Sequence, residues 1–126
     1  MANELRTSIS LEFTKDALVR EWPRKTVTAT VVGQNLSWQR QTLSVAAEAL
    51  IINEVISTGL WLFANRSTTA GEIIYLRAGA AGANMVALNP GEECMFRWVW
   101  AGGGGDLPFA IAALGTPVLE YLAIDP

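Results

Sequence analysis

The chain has 126 residues, enough for one domain to bury a core without metal or disulfide staples. Hydrophobic residues make up 51% and charged ones 17%, where soluble domains average roughly 25% charged, so part of the surface is expected to be covered by partners. Nine basic and twelve acidic residues are scattered, which argues against the basic face that nucleic-acid binding requires; the single cysteine excludes an internal disulfide and a multi-cysteine zinc site.

Met1-Ala2-Asn3-Glu4-Leu5-Arg6 has neither the basic start nor the apolar stretch of a signal peptide, and no run of about 18 apolar residues marks a membrane span. Leu5, Thr7, Ile9, Leu11 and Phe13 alternate with polar residues, which predicts a strand with one core face. Trp22-Pro23 is expected to break it, because proline donates no ladder hydrogen bond and restricts the residue before it. Thr26 to Val32 is rich in β-branched residues and reads as a second strand, closed by a turn at Gly33-Gln34-Asn35.

Ser37 to Val45 predicts another strand, with Trp38 on a buried or interfacial side. Ala46 to Ile52 mixes helical propensity with a β-favouring end and reads as a turn, or one helical turn, running into a short strand. Leu60 to Ala64 forms a strand opened by Gly59. A polar hairpin loop over 65–71 should return it antiparallel through Glu72 to Arg77. Met85 to Leu88 is followed by Asn89-Pro90-Gly91-Glu92, a strong turn signal. Glu93 to Trp100 is next, then the flexible run Gly102 to Gly105, and two closing strands over 109–114 and 118–124. Short strands at regular spacing predict an all-β fold, an antiparallel β-sandwich or jelly roll of eight to ten strands, as a single domain over residues 1–126.

Several strands are apolar on both faces. In Met95-Phe96-Arg97-Trp98-Val99-Trp100, the residues Phe96, Trp98 and Trp100 share one side while Met95 and Val99 share the other with Arg97. A half-solvated antiparallel sheet would alternate instead. The chemistry for an active site is thin. Without histidine the chain lacks the commonest acid–base group and the usual zinc and iron ligand. Glu92 and Glu93 would point to opposite faces of a strand and make no dyad. The glycine run is followed by Asp106-Leu107-Pro108 rather than by the Lys-Ser/Thr of a phosphate loop. Cys94, among apolar neighbours, reads as an inert buried thiol.

The five tryptophans carry the binding potential. Trp22, beside Pro23 in an expected loop, is the preferred anchor for a partner, with Arg24 and Lys25 next to it. The stripe of Phe96, Trp98 and Trp100 is expected to pack either in the core or against another subunit. These six residues are the candidate protein interface. No catalytic residue, cofactor or metal ligand is expected.

One ordered set of motifs adds to this. Glu48-Ala49-Leu50, Ser57 to Asn65 with its glycine-led strand ending in asparagine, Ile73-Ile74-Tyr75-Leu76, Leu88-Asn89-Pro90-Gly91-Glu92 and Val118-Leu119-Glu120-Tyr121-Leu122 together resemble small virion proteins of tailed bacteriophages. The resemblance spans roughly residues 45–124 and rests on the order of the motifs. It implies a non-enzymatic β-sandwich in the virion, assembled in the bacterial cytoplasm. The expected role is a capsid decoration or cement protein, bound across the major capsid protein or other virion subunits as a homo-oligomer, with a trimer favoured. A tail component or a receptor- or glycan-binding module is the alternative. Neither nucleic acid nor membrane is an expected partner.

Overall fold

A computed structural model of the chain describes residues 4–15, 18–30, 36–52, 59–98 and 108–124, which divide along the sequence into two compact units, one up to Val32 and one from Gly33. The first unit is an antiparallel ribbon of β1 (Glu4–Lys15) and β2 (Leu18–Thr30). The expected break at Trp22-Pro23 does not occur, and β2 runs through it. Ile9 stands opposite Lys25 and Leu11 opposite Trp22, so Pro23 and Arg24 together face the single residue Ser10. This is a β-bulge, a place where a strand tolerates proline because an extra residue is already left out of the ladder. The turn expected at Gly33-Gln34-Asn35 lies outside the described residues.

The second unit holds β3 (Leu36–Thr42), β4 (Glu48–Ala49), β5 (Gly59–Asn65), β6 (Ile74–Ala78), β7 (Asn84–Leu88), β8 (Glu93–Trp98), β9 (Pro108–Ala112) and β10 (Val118–Ile124). They form two four-stranded antiparallel sheets, in the orders β3-β10-β5-β8 and β4-β9-β6-β7. The pairing is nested: β6 with β7, β5 with β8, β4 with β9, β3 with β10. One long antiparallel hairpin folded over on itself gives this pattern, which is the winding of a jelly roll. The described residues are thus all-β, and the second unit is the antiparallel sandwich of eight strands that the strand spacing predicts.

Two local expectations change. Residues 65–71 do not close a hairpin, because β5 and β6 belong to different sheets and the connection crosses between them. With apolar residues on both faces, β5 takes a central place between β10 and β8. The helical propensity of Ala46 to Ala49 also loses out. The Glu48 carboxylate accepts hydrogen bonds from the Ser44 amide at 2.9 Å and the Ser44 hydroxyl at 2.6 Å, closing a bend that leads straight into β4.

The core lies between the sheets. The first sheet contributes Trp61, Phe63, Trp98, Leu119 and Tyr121; the second contributes Ile74, Leu76, Leu88, Ala110 and Ala112. The rings pack as one cluster, with Trp61–Phe63 and Phe63–Phe96 centroids each 5.5 Å apart and Phe96–Trp98 at 5.4 Å. Small alanines on β9 leave room for these large rings, as close packing requires.

One end of the sandwich is tied across all four of its connections. Leu43 donates its amide to the Pro117 carbonyl, Ala112 to Ser44, Arg66 to Val118, and Ala113 to Ile73. Asn65 is the hub. Its buried side-chain amide donates to the carbonyls of Glu72 at 2.8 Å and Leu88 at 3.0 Å, and its Oδ1 accepts the Ser67 amide at 3.0 Å. Its backbone grips the Asn89–Glu92 turn from both sides: Asn65 N–H donates to the Glu92 carbonyl, and Gly91 N–H donates to the Asn65 carbonyl. Gly91 sits at φ 82°, where a side chain would be strained. The asparagine and the Pro-Gly-Glu turn are therefore two halves of one latch.

Candidate functional site

The residues expected at an interface take three different places. Trp98 is only 3% exposed and Phe96 is half-buried; both point into the sandwich as parts of the ring cluster. Trp100 lies outside the described residues. Trp22, Arg24 and Lys25 lie on β2, at and beside its bulge, rather than in a loop. Their side chains lie outside what the structure describes. Cys94 shares the inner face of β8 with Phe96, and burial pushes its thiol up to about 11, so it is protonated and unreactive near neutrality.

The opposite face of the same sheet carries Leu36, Trp38 and Leu62 among the exposed large apolar side chains, while Val45, Ile51, Met85 and Leu114 are exposed elsewhere. Strand pairing lines the outward residues up in rows across β3, β10, β5 and β8. One row reads Leu36, Ile124, Leu60 and Arg97. The next reads Trp38, Leu122, Leu62 and Met95, and the third Arg40, Glu120, Ala64 and Glu93. Trp38 is 66% exposed, Leu36 60% and Leu62 39%, while Leu60, Leu122, Ile124 and Met95 are half-buried by their neighbours. Two adjacent rows thus hold seven apolar side chains and one arginine. Scattered exposed apolar residues are ordinary, but a contiguous patch of them marks a place of contact.

The third row is polar and internally paired. Arg40 pairs with Glu120 through its Nε. Arg66, two residues beyond Ala64, reaches Glu120 at 2.9 Å through Nη2 and Glu93 at 2.9 Å through Nη1. Glu120, with its side chain only 9% exposed, is held below the usual carboxylate range first by the hydrogen bond from Arg66 and then by that from Arg40. Arg40 and Glu93, at the two margins of the sheet, keep much of their charge in solvent. The face is therefore an apolar field bounded on one side by an alternating line of charge. Among the described residues no group of three or more His, Cys, Asp and Glu is placed to hold a metal ion.

Sequence reading identifies the surplus of apolar surface and leaves the stripe of Phe96, Trp98 and Trp100 open between core and subunit contact; Phe96 and Trp98 pack with the core, and the exposed apolar side chains of this sheet lie on its opposite face. Trp38 is expected from sequence on a buried or interfacial side; the residues of this face that sequence reading does not single out are Leu36, Leu60, Leu62, Met95, Leu122 and Ile124. A signal for them exists in β3. There the polar residues Ser37, Gln39 and Gln41 share the side that pairs with the buried Leu119, Tyr121 and Ala123, and the apolar Leu36 and Trp38 face out. A strand whose tryptophan shares a face with arginine while serine is buried is inverted relative to a solvent-facing strand. Comparison of the chain with protein-family models, with curated proteins and with solved structures gave no match.

Proposed function

We propose that this chain is a non-enzymatic assembly subunit of a bacteriophage virion, a decoration or cement protein of the head shell. The observation that carries the assembly reading is the exposed apolar face of the β3-β10-β5-β8 sheet, with Trp38 at 66% exposure in its centre row. The virion reading comes from the ordered motifs along residues 45–124. A fold alone would not supply it, because jelly rolls host many functions. Three of those motifs correspond to parts that a rigid building block needs: Asn65 with the Pro90-Gly91-Glu92 turn forms the end latch, and Glu120-Tyr121 contributes to the surface ion pairs and the core.

The mechanism is mass action. A subunit that binds the assembled shell and not its free parts shifts the equilibrium toward the shell. The outer face serves contacts between copies, and the β1–β2 segment with Trp22, Arg24 and Lys25 is the candidate for contact with the major capsid protein. A glycan platform is the weaker reading. Sugars need hydrogen-bonding groups around the ring, and the same-row neighbours of Trp38 are Leu122, Leu62 and Met95.

Copy number in purified particles tests the proposal. Hundreds of copies per particle support a shell protein. Six or twelve would move it to the tail or a vertex, and none would remove it from the virion.

A further inference from the structure

We infer that the outer face of the β3-β10-β5-β8 sheet binds the same face of a second copy of this chain, about a two-fold axis running parallel to the strands between β10 and β5. This deepens the assembly reading by naming the partner of that face. It does not require the partner to be a virion, so a failed copy-number test leaves it standing.

The argument is one of self-complementarity. A two-fold contact places one surface patch on itself, so the patch must match its own rotated image. An axis along the strands exchanges β3 with β8 and β10 with β5, and keeps every row facing its own row. In the centre row Trp38 then meets Met95 of the copy, a sulfur–aromatic pairing, and Leu122 meets Leu62. In the first row Ile124 meets Leu60, and Leu36 lies along the aliphatic stem of Arg97. In the third row Arg40 meets Glu93, twice by symmetry, and both are exposed enough to reach across. In the centre row every pairing is apolar, in the third row Glu120 meets the small Ala64, and opposite charges meet at both margins.

The competing axis runs across the strands. Centred on the middle row, it stacks Ile124 on Glu120 and Leu36 on Arg40, burying charge against hydrocarbon. Centred between the two apolar rows, it leaves the charged row without a match. The axis along the strands keeps the two apolar rows on themselves and still joins Arg40 to Glu93 at both margins.

Size sets the strength. Four strands and three rows span about 19 Å by 20 Å, or roughly 400 Å² in projection. A stable interface buries about 800 Å² of accessible surface per partner, so a contact through a face of this size belongs with the small, reversible ones. It strengthens where many copies are held close together on one scaffold.

Sedimentation of the full-length chain over a range of concentrations is the test, with circular dichroism confirming that each variant is folded. The wild type should pass from monomer to dimer. Arg40→Glu alone and Glu93→Arg alone should each weaken the dimer by about tenfold or more, since two ion pairs become two repulsions. Trp38→Ser should abolish it. Mixing the Arg40→Glu and Glu93→Arg proteins should restore wild-type association, because each margin then joins opposite charges between chains. Within one chain the two positions stand at opposite edges of the sheet, so an intramolecular effect cannot produce that rescue. A monomer at every concentration, a trimer, a dimer indifferent to Trp38→Ser, or a mixture that stays as weak as its components would each overturn the inference.

Discussion

Asn65 and Tyr121 show how single polar side chains hold a sandwich whose remaining core is apolar. The Asn65 amide faces two carbonyl oxygens, those of Glu72 and Leu88. Asn65→Asp would turn a carboxylate oxygen toward them with no proton to share. It should therefore destabilise the fold more than Asn65→Ala, which leaves the carbonyls unsatisfied at about 1–3 kcal/mol each. Urea midpoints of the two variants check the order, and an Asp variant as stable as the Ala variant would contradict the geometry. The Tyr121 hydroxyl accepts the Ile51 amide at 2.7 Å, and its one proton is contested by the Ile51 carbonyl at 2.9 Å and Gln41 Oε1 at 3.1 Å. Burial pushes this phenol up to about 12. A raised value favours the protonated form in the folded chain, so stability is intact below the ordinary tyrosine pKa of 10 and drains away as pH climbs from there toward 12. Tyr121→Phe keeps the ring and should cost about 1–3 kcal/mol in urea unfolding at pH 7, while flattening the loss at alkaline pH.

At the scale of the strand, legibility depended on which face a residue was asked to take. Period-two alternation located β1, and the Asn89-Pro90-Gly91-Glu92 signal located its turn, because both are local effects that tertiary structure did not overrule. Proline chemistry alone misread β2, since a bulge can absorb Pro23 without ending the strand. The 65–71 connection was misread because polar loop composition does not say whether the next strand joins the same sheet. The apolar excess of Leu60 to Ala64 was visible, yet no local rule decides which of two apolar faces lies inside. That depended on partners far along the chain, where Tyr121 and Trp98 meet Trp61.

The ion-pair row yields a prediction at this same scale. Glu120 is held low by Arg66 and Arg40, Glu48 chiefly by the Ser44 hydroxyl, and Glu92 by Asn89. A lowered carboxylate stabilises the fold fully above its unfolded pKa of 4.5, and that contribution is lost as pH falls through the depressed folded value. The urea midpoint should hold between pH 7 and 5 and decline below 4.5. Glu120→Gln should lower the midpoint at neutral pH and make its acid dependence shallower; an unchanged slope would mean that Glu120 contributes nothing through its charge.

For the whole molecule, association and stability should be a single measurable property. The sandwich closes its inner side with rings and its loop end with hydrogen bonds, and leaves one outer face apolar. A folded chain that pairs through that face is stabilised by an amount that grows with the logarithm of concentration above the dissociation constant, whereas an unfolded chain gains nothing. Above the dissociation constant, each tenfold rise in concentration should therefore lift Tm by about 2–3 °C. Trp38→Ser abolishes pairing at an exposed position outside the core, so its Tm should be flat with concentration and meet the wild-type value on dilution. A wild-type Tm that ignores concentration over the range where dimers sediment would show that pairing and folding are uncoupled. In that case the apolar rows would be bystanders and some other surface would hold the copies together.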